Sequence, residues 1–178
     1  MKKYLIQFKP FLVFLSTFFS VYILLTLLYK VYLNEFKTYE VDGITSFVGR
    51  NVEQVLRGFN YDAKVLKNSS GSWLEVFLNN EDVVRIIEGC NAVSIMILFV
   101  SFIIAFSGKF KTTMLYALFG VALIYILNVL RIAVLTVLLF YFSQYAHFLH
   151  GVLFPLIIYS SVFILWFVWV NKFSKYAK

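Results

Sequence analysis

Hydrophobic positions along this chain fall into four long runs, residues 11–29, 91–107, 113–142 and 151–170, with one mixed interval between the first and the second. A bilayer core of about 30 Å asks for roughly 20 consecutive apolar residues in a helix. The four runs are long enough to cross, and they predict four membrane-spanning helices.

The interval 30–89 is patterned differently. Ile44, Phe47, Val48, Val52, Val55, Leu56 and Phe59 recur at helical spacing, while Thr45, Arg50, Glu53, Gln54 and Arg57 take the opposite side. Asp42 is a suitable N-cap, and Gly58 or Asn60 a suitable stop. Such a helix either rests on the outer bilayer surface or buries its apolar side on the strands that come after it. Three runs of strand character, 61–66, 73–78 and 83–87, occupy that part of the chain. Asn79-Asn80, two residues that tolerate left-handed backbone, predict a hairpin between the last two. The hairpin runs almost directly into Gly89-Cys90, so the sheet is expected to hold the start of the second span rigidly.

The predicted fold class is therefore mainly α: a polytopic membrane protein of about four transmembrane helices, with a small α+β extracytoplasmic insertion. Its parts are 1–29, a cytoplasmic tail and first anchor; 30–89, the insertion; 90–171, a three-helix membrane core; and 172–178, a basic tail. Composition agrees: 61% of the residues are hydrophobic and 14% charged, against roughly 45–50% apolar usage in soluble domains. The first run follows Lys2, Lys3 and Lys9 as a signal peptide would. Its length exceeds the roughly 7–15 residues of a signal core, and no small-residue cleavage site comes after it, so it reads as an uncleaved anchor.

Charge placement orients the chain. All nine acidic residues, with seven of the sixteen basic ones, lie within 30–89. The remaining basic residues are spread over the N-terminal tail, the Gly108–Lys111 link and the C-terminal tail with Lys172, Lys175 and Lys178, apart from Arg131. Short positive segments stay cytoplasmic, which places both termini and the link inside and residues 30–89 outside. The net charge of +7 is thus a topology signal; without one clustered basic face it is no nucleic-acid footprint.

Three chemistry-bearing positions remain. Cys90 is the only cysteine, which excludes an intramolecular disulfide and a structural zinc site built on several thiolates. At the N-terminal end of the second span, helix-end N–H groups and the dipole favour a thiolate; the alternative is a small apolar residue of a membrane helix. Arg131 interrupts a 30-residue apolar run, and an arginine at mid-helix costs about 2.5–3.5 kcal/mol on insertion, so such residues usually face an interior and carry function. It stands about 27 Å along the span from Thr113, near the outer boundary. Asn128, one turn earlier, is placed to orient it; snorkelling to outer headgroups is the competing reading. His147 and His150, the only histidines, lie in the outer turn between the last two spans, with His150 at a helix start. Imidazole suits proton transfer near neutrality, though a surface-turn histidine is most often just that. No acidic residue lies in the spans, so a metal site would lack ligands, and neither metal nor cofactor is expected.

Topology joins the three: each comes from a different span, and the charge rule brings all to the outer interface. A thiolate nucleophile, an imidazole and a fixed cation are the parts acyl transfer requires.

In this arrangement the chain resembles the exosortase/archaeosortase family, in particular the short F-type exosortases of Bacteroidetes. The resemblance rests on Glu88-Gly89-Cys90-Asn91-Ala92 opening a span, Asn128-Val129-Leu130-Arg131 late in the next, and Phe148-Leu149-His150 before the last apolar run with Pro155. It covers about half the chain, from Glu88 onward. It implies a cysteine-dependent sorting peptidase or transpeptidase of the bacterial inner membrane, acting outside on exported proteins that end in a short motif, a transmembrane helix and a basic tail. By that likeness Cys90 is the nucleophile, Arg131 the oxyanion stabiliser and His150 the acid/base, with Asn128 and His147 supporting. Larger family members have about twice as many spans, which leaves room for a small membrane accessory protein. Asn91-Ala92 replaces the small Ser/Gly pair common elsewhere. The competing class is a non-enzymatic assembly partner of a secretion or surface-sorting system, with Arg131 binding a phosphate or a partner helix. A small transporter or channel subunit fits less well, for want of intramembrane carboxylates and repeats.

Overall fold

The computed structural model describes residues 8–36, 39–106 and 108–174. Helix α1, Lys9–Leu33, opens with Pro10 in its first turn, where a missing N–H costs nothing. It is apolar all round and buries no residue fully, as a helix facing lipid does.

The mixed interval folds as its pattern predicts. Helix α2, Gly43–Gly58, is capped by Asp42, whose carboxylate accepts from the Thr45 N–H at 2.9 Å. Val48, Val52 and Leu56 form its buried stripe. Strands β1 (Ala63–Lys67), β2 (Leu74–Leu78) and β3 (Glu81–Ile86) make an antiparallel meander in the order β1-β2-β3. Asn79 and Asn80 both have positive φ, 51° and 68°, the backbone a two-residue hairpin loop requires. Leu74, Val76 and Leu78 turn one face of β2 into the core. Gly49 lets α2 sit on that face, since a Cβ there would run into the Leu74 side chain. The choice left open by the sequence is settled: α2 buries its stripe on the strands.

Three helices are long and apolar enough to cross a membrane: α1, α4 (Phe110–Tyr141) and a 30-residue helical segment, Ser143–Lys172, that ends in α5 (Phe154–Lys172). Four were expected. The second expected span becomes α3, Val93–Ala105, of 13 residues, which covers only about 20 Å at 1.5 Å per residue. Its start is cut back because Glu88–Cys90 form a 3-10 turn and Ala92 adopts left-handed backbone, φ 65°. At the other end the helix stops at Ala105, and Ser107 lies outside the described residues.

The helices pack as an antiparallel set. The Phe14 ring of α1 packs tilted against the Phe106 ring beyond α3, at 4.3 Å between centroids, and Trp169 of α5 donates its indole N–H to the Phe106 carbonyl at 2.9 Å. Tyr116 of α4 donates to the Leu165 carbonyl, and Gly120 makes room for the Phe99 ring. The 32 residues of α4 extend about 48 Å, more than a bilayer core needs. The surplus is used: Val129, Ile132 and Ala133 join the core of α2 and the sheet. A stripe of exposed apolar residues, including Phe119, Ile126, Leu130, Val134 and Tyr141, runs along the same helix.

Candidate functional site

Cys90 closes the 3-10 turn Glu88–Cys90, its N–H donating to the Ile87 carbonyl at 2.9 Å. It is half-buried and packs against the core that α2, the sheet and α4 share. Its placement differs from the expected one. Cys90 does not open α3; Asn91 and the left-handed Ala92 separate it from Val93, and the Val93 N–H is already taken by the Asn91 side-chain carbonyl at 3.0 Å.

What fixes the turn is side-chain hydrogen bonding from three elements. Asn91, 2% exposed, donates to the Tyr29 hydroxyl of α1 at 2.8 Å and to Thr45 Oγ1 of α2 at 3.2 Å. Asn128 of α4, 1% exposed, donates from Nδ2 to the Cys90 carbonyl at 2.8 Å. A buried amide satisfied in this way holds the backbone it touches, because a lost partner would leave a polar group without water. Sequence reasoning missed Tyr29 and Thr45. The available signal was Asn91 itself, a residue type that caps helix starts; its partners lie 62 and 46 residues away.

Arg131 stands one turn beyond Asn128 on α4. Among the described residues, Arg131 Nε and Asn128 Oδ1 are buried without a hydrogen-bond partner, and no carboxylate pairs with the guanidinium. An apolar cleft of about 270 Å³ opens between α2 and α4, with Leu56, Phe59, Leu130, Val134 and Leu138 in its walls; Cys90, Arg131 and His150 are not among its lining residues.

His147 and His150 are exposed. The expected turn leading into a helix start at His150 is instead helix throughout: from Ser143 the chain is helical, and His150 lies in a π-helical turn, Leu149–Leu153. Pro155 gives the physical reason, since it has no N–H for the carbonyl four residues back and its ring crowds that position. Leu149 is buried against Leu135, with Leu138 and Leu139 alongside, so the histidine segment meets α4 one turn past Arg131.

The structure thus ties Cys90 to Asn128 on α4, with Arg131 one turn further along that helix and the histidine segment packed against it a turn beyond, at Leu135. Among the described residues, no hydrogen bond or ion pair joins Cys90, Arg131 and His150, and no group of three His, Cys, Asp or Glu is placed to hold a metal ion. Compared with protein-family models, curated proteins and solved structures, the chain has no match in any of the three.

Proposed function

We propose that this chain is a membrane-embedded cysteine peptidase or transpeptidase that cleaves C-terminal sorting signals of exported proteins on the outer face of the bacterial inner membrane. The observation that carries the reading is the anchoring of the Cys90 turn to α4, at Asn128, one helical turn from an arginine with no carboxylate partner among the described residues. In the proposed reaction the Cys90 thiolate attacks the scissile carbonyl, Arg131 stabilises the oxyanion, and His150 gives a proton to the leaving amine. A thioacyl enzyme results. Water releases it as an acid, and an amine acceptor makes the reaction a transpeptidation.

The apolar cleft between α2 and α4, one wall of it the 130–138 stretch of the helix that carries Arg131, supports the same reading. Its about 270 Å³ suits a few apolar side chains of an extended segment, whereas a helix is about 10 Å across. Four membrane crossings, with both termini inside, belong to the proposal; α3 and its flanking turns make the short one. A small accessory membrane protein completing the substrate groove belongs to it too.

A second reading is favoured by one observation. His150 is exposed and has no hydrogen bond to Cys90 or Arg131, as suits a non-enzymatic assembly partner in which Arg131 engages a phosphate or a partner helix. The Cys90→Ala variant separates the two. Under the catalytic reading, exported proteins retain their C-terminal helices in that strain while the variant remains in the membrane. Normal processing by Cys90→Ala would sink it.

A further inference from the structure

Asn128 carries a role other than the one its spacing to Arg131 implies. As i and i+3 on one helix, the two were expected to pair, with Asn128 orienting the guanidinium. The structure shows neither Asn128 Oδ1 nor Arg131 Nε engaged. The Asn128 amide instead leaves its own helix and donates to the carbonyl of Cys90, 38 residues away, at 2.8 Å. That carbonyl belongs to the residue bearing the thiol, at the end of a 3-10 turn and two residues before the left-handed Ala92. Such a backbone has few neighbours of its own to define it. On the opposite side, Asn91 is held by Tyr29 and Thr45, so the Cys90–Asn91 pair is clamped from α1, α2 and α4 at once.

We infer that Asn128 is a positioning residue that fixes the turn presenting the Cys90 thiol and sets its distance from the helix carrying Arg131. The consequence for catalysis rests on the function proposed above; the effect on the thiol does not. One feature of the site supports a positional role. The side chain is 1% exposed, so water cannot replace the bond if the amide is lost.

The test measures Cys90 itself. The rate of alkylation by a water-soluble maleimide, in membranes permeabilised so that both faces are reached, is compared for wild type, Asn128→Leu, Asn128→Asp and Ser101→Ala. Leucine keeps the volume without an amide, and aspartate keeps the shape without the donor. Ser101 is equally buried and bonds only within its own helix. We expect Asn128→Leu and Asn128→Asp to change the alkylation rate at least threefold, with Ser101→Ala unchanged. Asn128 variants that stay folded and alkylate like wild type overturn the inference. Should both fail to fold, solid-state NMR on wild-type protein in bilayers decides. A dipolar coupling between Asn128 Nδ2 and the Cys90 carbonyl carbon upholds the contact, and its absence refutes it. Processing assays keep the two proposals apart. Normal processing by Cys90→Ala alongside altered alkylation in Asn128→Leu removes the peptidase and leaves the positioning; the opposite pair of results does the reverse.

Discussion

Cys90, Asn91, Asn128 and Arg131 show how much of a residue's meaning lies in its partners. Asn91 makes three hydrogen bonds with its amide, two as donor and one as acceptor, in a site that is 2% exposed. Asn91→Ala removes all three and leaves the Tyr29 and Thr45 hydroxyls in place. A buried polar group without its partner costs about 1–3 kcal/mol, so thermal unfolding in detergent is expected to show a stability loss of that order. At Arg131 the expectation is chemical. The guanidinium presents several donors in a planar fork, which an ammonium cannot reproduce. On the proposed mechanism Arg131→Lys therefore keeps the positive charge yet lowers processing roughly 10²-fold or more, the scale of losing an oxyanion donor. Wild-type processing by Arg131→Lys would leave only its charge, or none of it, in the reaction. The type and position of these residues were legible in the sequence. Their pairing was not, because Asn128 chooses between a neighbour one turn away and a carbonyl 38 residues off, and only the packing of α4 against the Cys90 turn settles which lies in reach.

Among the elements, α2 and the hairpin were legible because local physics fixes them. Asp42 caps, the apolar stripe repeats every three to four residues, and Asn79-Asn80 accept left-handed backbone. The ends of α3 and α5 were not, because an apolar run marks what is greasy and not where the helix breaks. The break before α3 depends on Ala92 standing at φ 65°, a conformation costing a non-glycine residue about 1–2 kcal/mol. Ala92→Gly relieves that cost and gives up a buried methyl of about 0.8 kcal/mol, so it is expected to be neutral or slightly stabilising. Ala92→Val puts a β-branched side chain in the same backbone and is expected to lower the unfolding temperature clearly. If valine proves harmless, the left-handed turn is not what separates Cys90 from α3. At the other site Pro155 was visible, yet its effect, the π-turn around His150, arises only when the preceding residues stay helical.

For the molecule as a whole, one end gathers the start of α1, the α3–α4 link and the end of α5: Phe14 meets Phe106, Trp169 bonds its carbonyl, and Gly108 bridges to Ser174. Lys9, Lys109, Lys111 and Lys172 belong to these same segments, so they are cytoplasmic together or outside together, and the positive-inside rule favours the former. Since α3 covers about 20 Å, four crossings require the bilayer to thin locally or the flanking turns to fill the difference, at fractions of a kcal/mol per ångström. An impermeant thiol reagent tests this arrangement. It is expected to label Cys90 in intact spheroplasts, and to label a Lys109→Cys, Cys90→Ala protein only after permeabilisation. Labelling of both from outside would mean that α3 does not cross, and the proposed outer site would need another topology.

The sequence by itself determined the membrane character, the position and composition of the insertion after the first span, α2 with its cap, and the hairpin. Each comes from hydrophobic content, periodicity or backbone preference over a few neighbouring residues. Only the tertiary structure decided that α3 is short, that Cys90 lies ahead of it in a clamped turn, and that Asn128 holds that turn while Arg131 Nε stays unpaired. These depend on hydrogen bonds and packing between segments dozens of residues apart, where burial makes each polar partner costly to lose and nothing in the local pattern names it.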